Sequence, residues 1–295
     1  MISSMTGFGR GGAQTETRRV KVEIKSLNSK QLDLSMRVPT CFREMEVSMR
    51  NMLAEKLERG KVELNATVEN IVAETTTTVN IELLGQYKLQ LEEMQRRLNL
   101  PEPADWYTLL MRMPESMRVE TAVVDESEKQ AFTAACQEAV DGLMDFRRIE
   151  GRKLYYFFVD KIHKIRELLE QVAPYEAERV PRIRERLEEQ LARLSSIEYD
   201  RGRLEQELIF YIEKLDVTEE KVRLTSHLNY FMETLGGEDE YKEAGQGKKL
   251  GFIAQEMGRE INTLGSKSNH AEMQQIVVRM KDELEQIKEQ VLNVL

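Results

Sequence analysis

Residues 20–38, VKVEIKSLNSKQLDLSMRV, decide the fold. Val20, Val22 and Ile24 alternate with Lys21, Glu23 and Lys25, and Leu32, Leu34 and Met36 alternate with Asp33, Ser35 and Arg37. A period of two sends neighbouring side chains to opposite faces, so both runs read as half-buried antiparallel strands. Residues 26–30 form a polar link between them, and Pro39 ends the second. Residues 61–72 alternate again at Val62, Leu64, Ala66 and Val68. Between these strands, Met45, Met49, Met52, Leu53 and Leu57 recur at helical steps until Arg59-Gly60 stops the pattern. Before them, Thr6-Gly7-Phe8-Gly9-Arg10 reads as a strand with a kink or a close backbone approach. The first seventy residues are therefore an antiparallel-sheet α/β sandwich, the opening of an α+β fold.

The rest reads as helical. Asn80 caps a helix over 80–98, and Trp106, near prolines, reads as a core plug rather than a base-stacking platform. A long pattern through Phe132, Ala135, Ala139, Leu143 and Phe146 runs on toward Val172. Asp216-Val-Thr-Glu219 has the form of a capping box. It opens a helix with Leu224, Leu228, Phe231 and Leu235 inward and Arg223 and His227 one turn apart outside. The acidic segment 238–247 reads as a mobile link. Residues 248–267, KKLGFIAQEMGREINTLGSK, bury Leu250, Ile253, Met257, Ile261 and Leu264 and expose Gln255, Glu256, Arg259, Glu260 and Asn262; residues 265–268 read as the turn that ends this helix. Asn269 is the expected cap of the last helix, whose Met273, Val277, Met280, Leu284, Ile287, Val291 and Val294 form an a/d seam. That seam must pack on another helix, within the chain or across a subunit boundary. The expected division is 1–200, an α+β domain with a long helical extension, and 201–295, an all-α domain.

The 295 residues carry a net charge of −9, which argues against binding nucleic acid by bulk attraction. The distribution is uneven: residues 1–61 hold 12 Lys and Arg against 7 Asp and Glu, a net of +5 that leaves −14 for the remainder. A basic amino end on an acidic body is able to hold a phosphate backbone locally. There is no apolar run of membrane-spanning length and no leader-like start, and Cys41 and Cys136 lack CxxC spacing, which fits a reducing cytoplasm. No GxxxxGK[ST] or GxSxG occurs; Gly7, Gly9 and Gly12 match GxGxxG by letter, but a strand follows where a dinucleotide site needs a helix. No nucleotide cofactor is expected.

The candidate chemistry sits late in the chain. If the helix of His227 packs beside that of Glu256 and Glu260, one imidazole and two carboxylates converge, a ligand set suited to Mn²⁺, Mg²⁺ or Zn²⁺. The ExxxE spacing alone is no ligand signature. QEMGREINTLGSKSN, with DVTEEKVRLTSH upstream, resembles the C-terminal domain of the YicC/YloC family of bacterial proteins. MISSMTGFGR, VEIKSLNSKQLDLSMRVP and RGKVEL are similar to that family's N-terminal domain. The resemblance implies a divalent-metal-dependent endoribonuclease, with Mn²⁺ or Mg²⁺, assembled as a hexamer. On that reading His227, Glu256, Arg259, Glu260 and Lys267 are catalytic, with His227, Glu256 and Glu260 as metal ligands. Arg10, Arg18, Lys21, Lys25, Lys30, Arg223, Asn262 and Ser266 contact RNA. Arg223, Arg259 and Lys267 would stabilise charge on the phosphorane. A metal-free route with His227 as base toward the 2′-hydroxyl stays open, as does a non-catalytic RNA-binding or RNase-adaptor protein.

Overall fold

The computed structural model describes residues 2–57, 59–71, 77–119, 124–193, 201–237 and 245–295. The expected segment 238–247 and the expected boundary at 200/201 fall largely or wholly on residues outside that set. Strands β1 (Gly7–Gln14), β2 (Arg18–Leu27), β3 (Leu32–Arg37) and β4 (Gly60–Asn70) form one sheet in the order β1-β2-β4-β3. β1 and β4 both run antiparallel to β2, but β3 runs parallel to β4, so the sheet is mixed rather than wholly antiparallel. The reason is the connection between them. A 3-10 turn (Thr40–Met45) and helix α1 (Glu46–Lys56) carry the chain back before β4 begins, and a parallel pair needs such a crossover. An insert follows, made of β5 (Thr77–Val79), α2 (Ile81–Leu98), α3 (Trp106–Met111) and β6 (Met117–Val119). Asn80 caps α2 as expected, its side chain accepting from the Leu83 amide. Trp106 is half-buried with the Lys88 ammonium 5.8 Å from its ring centre.

Helix α4 (Glu126–Glu170) spans 45 residues, which at 1.5 Å per residue is roughly 65 Å. A capping box of Asp125 and Glu128 opens it. Its first half closes the sheet core: Phe132, Cys136 and Leu143 pack with Val20, Val22, Ile24, Val62 and Leu64 from the sheet. Phe42 stacks on Phe132 at 4.5 Å between ring centres. β1 lies directly under α4, and the alternating glycines make that approach possible. A Cβ on Gly9 would stand 1.9 Å from the Ala139 carbonyl oxygen, and one on Gly11 2.0 Å from that of Ala135.

The second half of α4 enters a different core. After α5 (Val172–Arg193) and α6 (Arg201–Leu215), helices α7 (Thr218–Leu235), α8 (Gln246–Ser268) and α9 (Ala271–Val291) pack around Phe158, Ile162 and Ile165. At the handover the buried Arg147 donates to Ser26 Oγ at 2.5 Å and to the Met5 carbonyl at 3.3 Å. The chain ends are joined beside it: Ser4 bridges Val294, and the Leu295 amide donates to the Ser3 carbonyl at 2.9 Å. No described helix is long and apolar enough to cross a membrane.

The a/d seam of α9 is used up inside the chain: Met273, Val277, Met280, Leu284, Ile287, Val291 and Val294 are all buried in the second core. It therefore gives no support to an oligomer. Against it α8 presents Gly251, Gly258 and Gly265, whose added Cβ atoms would meet Val291, Leu284 and Val277 in turn. Both sets are spaced by seven in opposite directions, as two antiparallel helices require. Three helix ends differ from expectation. α8 runs through Gly265 to Ser268 because Gly265 faces Val277 and is packed as helix, and Asn269, left-handed at φ 37°, is its C-cap. α9 starts from His270 instead of Asn269, with no side-chain cap. Asp216 bonds the Thr218 amide and hydroxyl at 3.1 and 2.7 Å, and Val217 is the N-cap residue of α7, while Glu219 turns to Arg223, so no capping box forms there.

Candidate active site

Helices α7 and α8 pack on each other antiparallel, and two contacts tie their ends. At one end the Lys249 ammonium sits 4.8 Å from the ring centre of Tyr230. At the other Lys267 Nζ is 2.8 Å from Glu220 Oε1. On α7, Glu220, Arg223, His227 and Tyr230 are separated by three, four and three residues, so they form one stripe. On α8, Lys249, Glu256, Glu260, Thr263 and Lys267 fall on one stripe by the same rule. His227 and Arg223 on α7, and Glu256 and Glu260 on α8, lie along the two helices between these end contacts. Thus the side-by-side packing on which the candidate chemistry depends is present. His227, Glu256 and Glu260 are half-buried, as expected for groups at the edge of a seam.

The cations of the seam are already paired. Arg259 Nη1 donates to both oxygens of Glu256, at 2.8 and 3.1 Å, and Arg223 pairs with Glu219. Lys267 is held more firmly, because the Glu220 side chain is only 7% exposed. Behind it Arg179 Nη1 donates to the Lys267 carbonyl at 3.1 Å, which fixes the end of α8. Hydrogen bonds from the Thr218 hydroxyl and amide hold the Asp216 carboxyl below its ordinary range, with the nearby Lys267 charge adding to the effect. Asn262 and Ser266 are exposed on the outer side of α8, and the Ser266 hydroxyl donates to the Thr263 carbonyl at 2.9 Å. Sequence reading missed Glu220 and Arg179. Glu220 is the next stripe position before Arg223 and was findable by spacing, whereas Arg179 comes from α5 and left no local signal.

As to a metal, no group of three or more His, Cys, Asp or Glu side chains among the described residues is placed to hold one. His227, Glu256 and Glu260 share a seam without forming a three-ligand cage in the single chain, and Glu256 is engaged by Arg259.

The proposed RNA contacts at the amino end divide. Arg10 is exposed on β1, its Nε 3.0 Å from Glu23 and its guanidinium 5.0 Å from the centre of the Phe8 ring. Lys21 pairs with Glu69 at 2.8 Å, Lys25 stands over Phe8 at 5.9 Å, and Lys30 is exposed in the β2–β3 link. Arg18 is a correction. It points to the core side of β2, buried, with Nη1 2.9 Å from Glu128 Oε2, and it cannot reach a strand of RNA. Alternation explains this: Arg18 shares the face of Val20 and Val22, where a buried guanidinium needs a buried carboxylate.

Comparison with known proteins gives the family. Residues 2–156 match the model described as "Endoribonuclease YicC-like, N-terminal region", and residues 172–295 match "Endoribonuclease YicC-like, C-terminal". The chain is 30% identical over 300 residues to "Probable endoribonuclease YicC" of Clostridioides difficile (strain 630), covering 100% of both chains. It is 29% identical over 301 residues to the protein of the same name from Haemophilus influenzae, covering 99% of each.

Proposed function

Because the chain belongs to the endoribonuclease YicC-like family, we propose that it cleaves RNA phosphodiester bonds at the seam of α7 and α8. The observation that supports this reading is the antiparallel packing of α7 on α8, with His227 and Arg223 on one helix and Glu256 and Glu260 on the other, between the two end contacts. Arg223 and Arg259 sit in exposed ion pairs, each worth no more than about 1 kcal/mol. A phosphate displaces the carboxylates from them and gains two bidentate donors. As negative charge builds on the phosphoryl oxygens, the same guanidiniums stabilise it. Imidazole is the side chain suited to exchanging protons near neutral pH. His227 takes the proton of the attacking oxygen as that oxygen bonds to phosphorus, the bond to the leaving oxygen breaks, solvent water protonates the leaving oxygen, and the hydroxide so formed takes the proton back from the imidazolium. Glu256, released from Arg259, and Glu260 are then free to orient the imidazole. No step is routed through a metal, since no three-ligand group occurs among the described residues; the dependence on Mn²⁺ or Mg²⁺ implied by the resemblance is an arm of the test. The hexamer implied by the same resemblance is checked by sedimentation mass.

The test uses a labelled structured RNA, with EDTA or with Mn²⁺, and the His227→Ala and Glu260→Gln proteins. His227→Ala is expected to lose about 10²–10⁴-fold in rate, with RNA binding retained. Unchanged cleavage in both variants sinks the site. No cleavage by the parent protein, with a salt-dependent gel shift, replaces this reading by the RNA-binding adaptor.

A further inference from the structure

The seam has an end that the reaction above does not use. Tyr230 is 43% exposed and Phe252 60% exposed. Tyr230 stands three residues beyond His227 on α7, and Phe252 four residues before Glu256 on α8, so each is one helical turn from a candidate catalytic group. Since the helices are antiparallel, both rings lie toward the same end, where Lys249 covers Tyr230 at 4.8 Å. By contrast, Phe158 and Phe231 of the second core meet edge to face at 5.7 Å, and both are fully enclosed. Nothing in the packing requires Tyr230 or Phe252 to be aromatic, for neither ring contributes to the core.

We propose that Tyr230 and Phe252 form a stacking platform for an unpaired base next to the scissile phosphate, which makes single-stranded RNA the substrate class of this site. The inference rests on the cleavage reading above and adds its specificity. A base in a duplex hides both faces in the stack and cannot reach an aromatic side chain, whereas an unpaired base offers a whole face. An exposed cation–π contact is weaker than base–aromatic stacking. The base therefore displaces the Lys249 ammonium from Tyr230 and frees it to meet the adjoining phosphate. Phosphates held farther along by Arg223 and Arg259 then continue the strand past His227. The sites are ordered along the seam as base platform, proton-transfer group and Lys267.

A set of short single-stranded RNAs, each with 2-aminopurine at one position, tests this in the full-length protein. Quenching of the fluorophore reports stacking, and cleavage is followed in the same samples. In the parent protein, quenching is expected at a position adjoining the cut. Tyr230→Ala and Phe252→Ala are each expected to abolish most of it and to weaken binding by about tenfold. Phe252→Trp is expected to restore it, while Phe252→Leu, apolar but flat on neither face, is not. Binding and quenching by Phe252→Leu equal to the parent's would overturn the proposal, as would quenching unaffected in both alanine variants. The two readings separate cleanly. Cleavage with quenching indifferent to these rings removes the platform and leaves the nuclease. Quenching that depends on them without any cleavage keeps the platform and removes the nuclease.

Discussion

The open face of the sheet and the seam of α7 and α8 carry similar inventories of Arg, Lys and Glu, yet they use them differently. On the sheet, charges pair across strands: Arg10 with Glu23, Lys21 with Glu69. Each contact ties two strands whose register the core already fixes, so opposite signs cancel over a broad, flat surface. At the seam, charges pair along one helix, Arg259 with Glu256 and Arg223 with Glu219, and two such helices face each other. The cations there stand in two rows, and His227 belongs to the row on α7. The lesson is that similar composition makes a solvated face in one place and a directional groove in the other, depending on whether the element repeats every two residues or every 3.6.

That contrast can be broken at several points. The largest effect is expected where β1 touches α4. Gly9→Val drives a side chain into the Ala139 carbonyl, a backbone atom that cannot move aside, and should cost more than about 4 kcal/mol. Urea denaturation measures it, and a loss below 1 kcal/mol would show that the approach of strand and helix is looser than described. Next is Arg18→Ala, which leaves Glu128 buried without its guanidinium and should cost about 3–5 kcal/mol. RNA affinity per folded molecule should not change; a selective loss of affinity would return Arg18 to the RNA-binding set. A smaller effect is expected from the exposed sheet cations. If the sheet face helps to hold RNA, Arg10→Ala and Lys25→Ala should each lower the slope of log affinity against log salt by about 0.7 on a single strand. An unchanged slope would confine RNA to the seam.

The smallest effect at working pH concerns Cys136 in the sheet core, where burial pushes the thiol up to about 12 from its ordinary 9.0. The raised value means that the fold favours the neutral thiol. Its contribution is complete below pH 9.0 and is lost as pH climbs toward 12. Alkylation of the native protein at neutral pH should therefore spare Cys136 and reach the half-buried Cys41 first. Equal labelling would mean that the sheet core opens.

Much of the fold was legible in residue periods. The alternation of residues 20–38 marked β2 and β3, and the long pattern from Phe132 marked α4. The parallel pairing of β3 with β4 was not legible, because alternation fixes which face a side chain takes but not which way a neighbouring strand runs. The candidate site shows the same division. Helical spacing placed Glu256 with Glu260 and Arg223 with His227, each pair on one helix. That the two helices carrying these pairs pack on each other was decided by the tertiary structure. The a/d seam of α9 was plain in the sequence, but only the packing showed that α8 and α4 fill it.

By itself, then, the sequence determined the α+β class, the faces of the strands and helices, and the family. These follow from local periods and short motifs, which act within a few residues. The tertiary structure decided that Arg18 is buried, that Gly7, Gly9 and Gly11 admit α4, and that α7 packs antiparallel on α8. Each of those depends on atoms far apart in the chain, whose meeting is set by core packing and not by the identity of any neighbour in sequence.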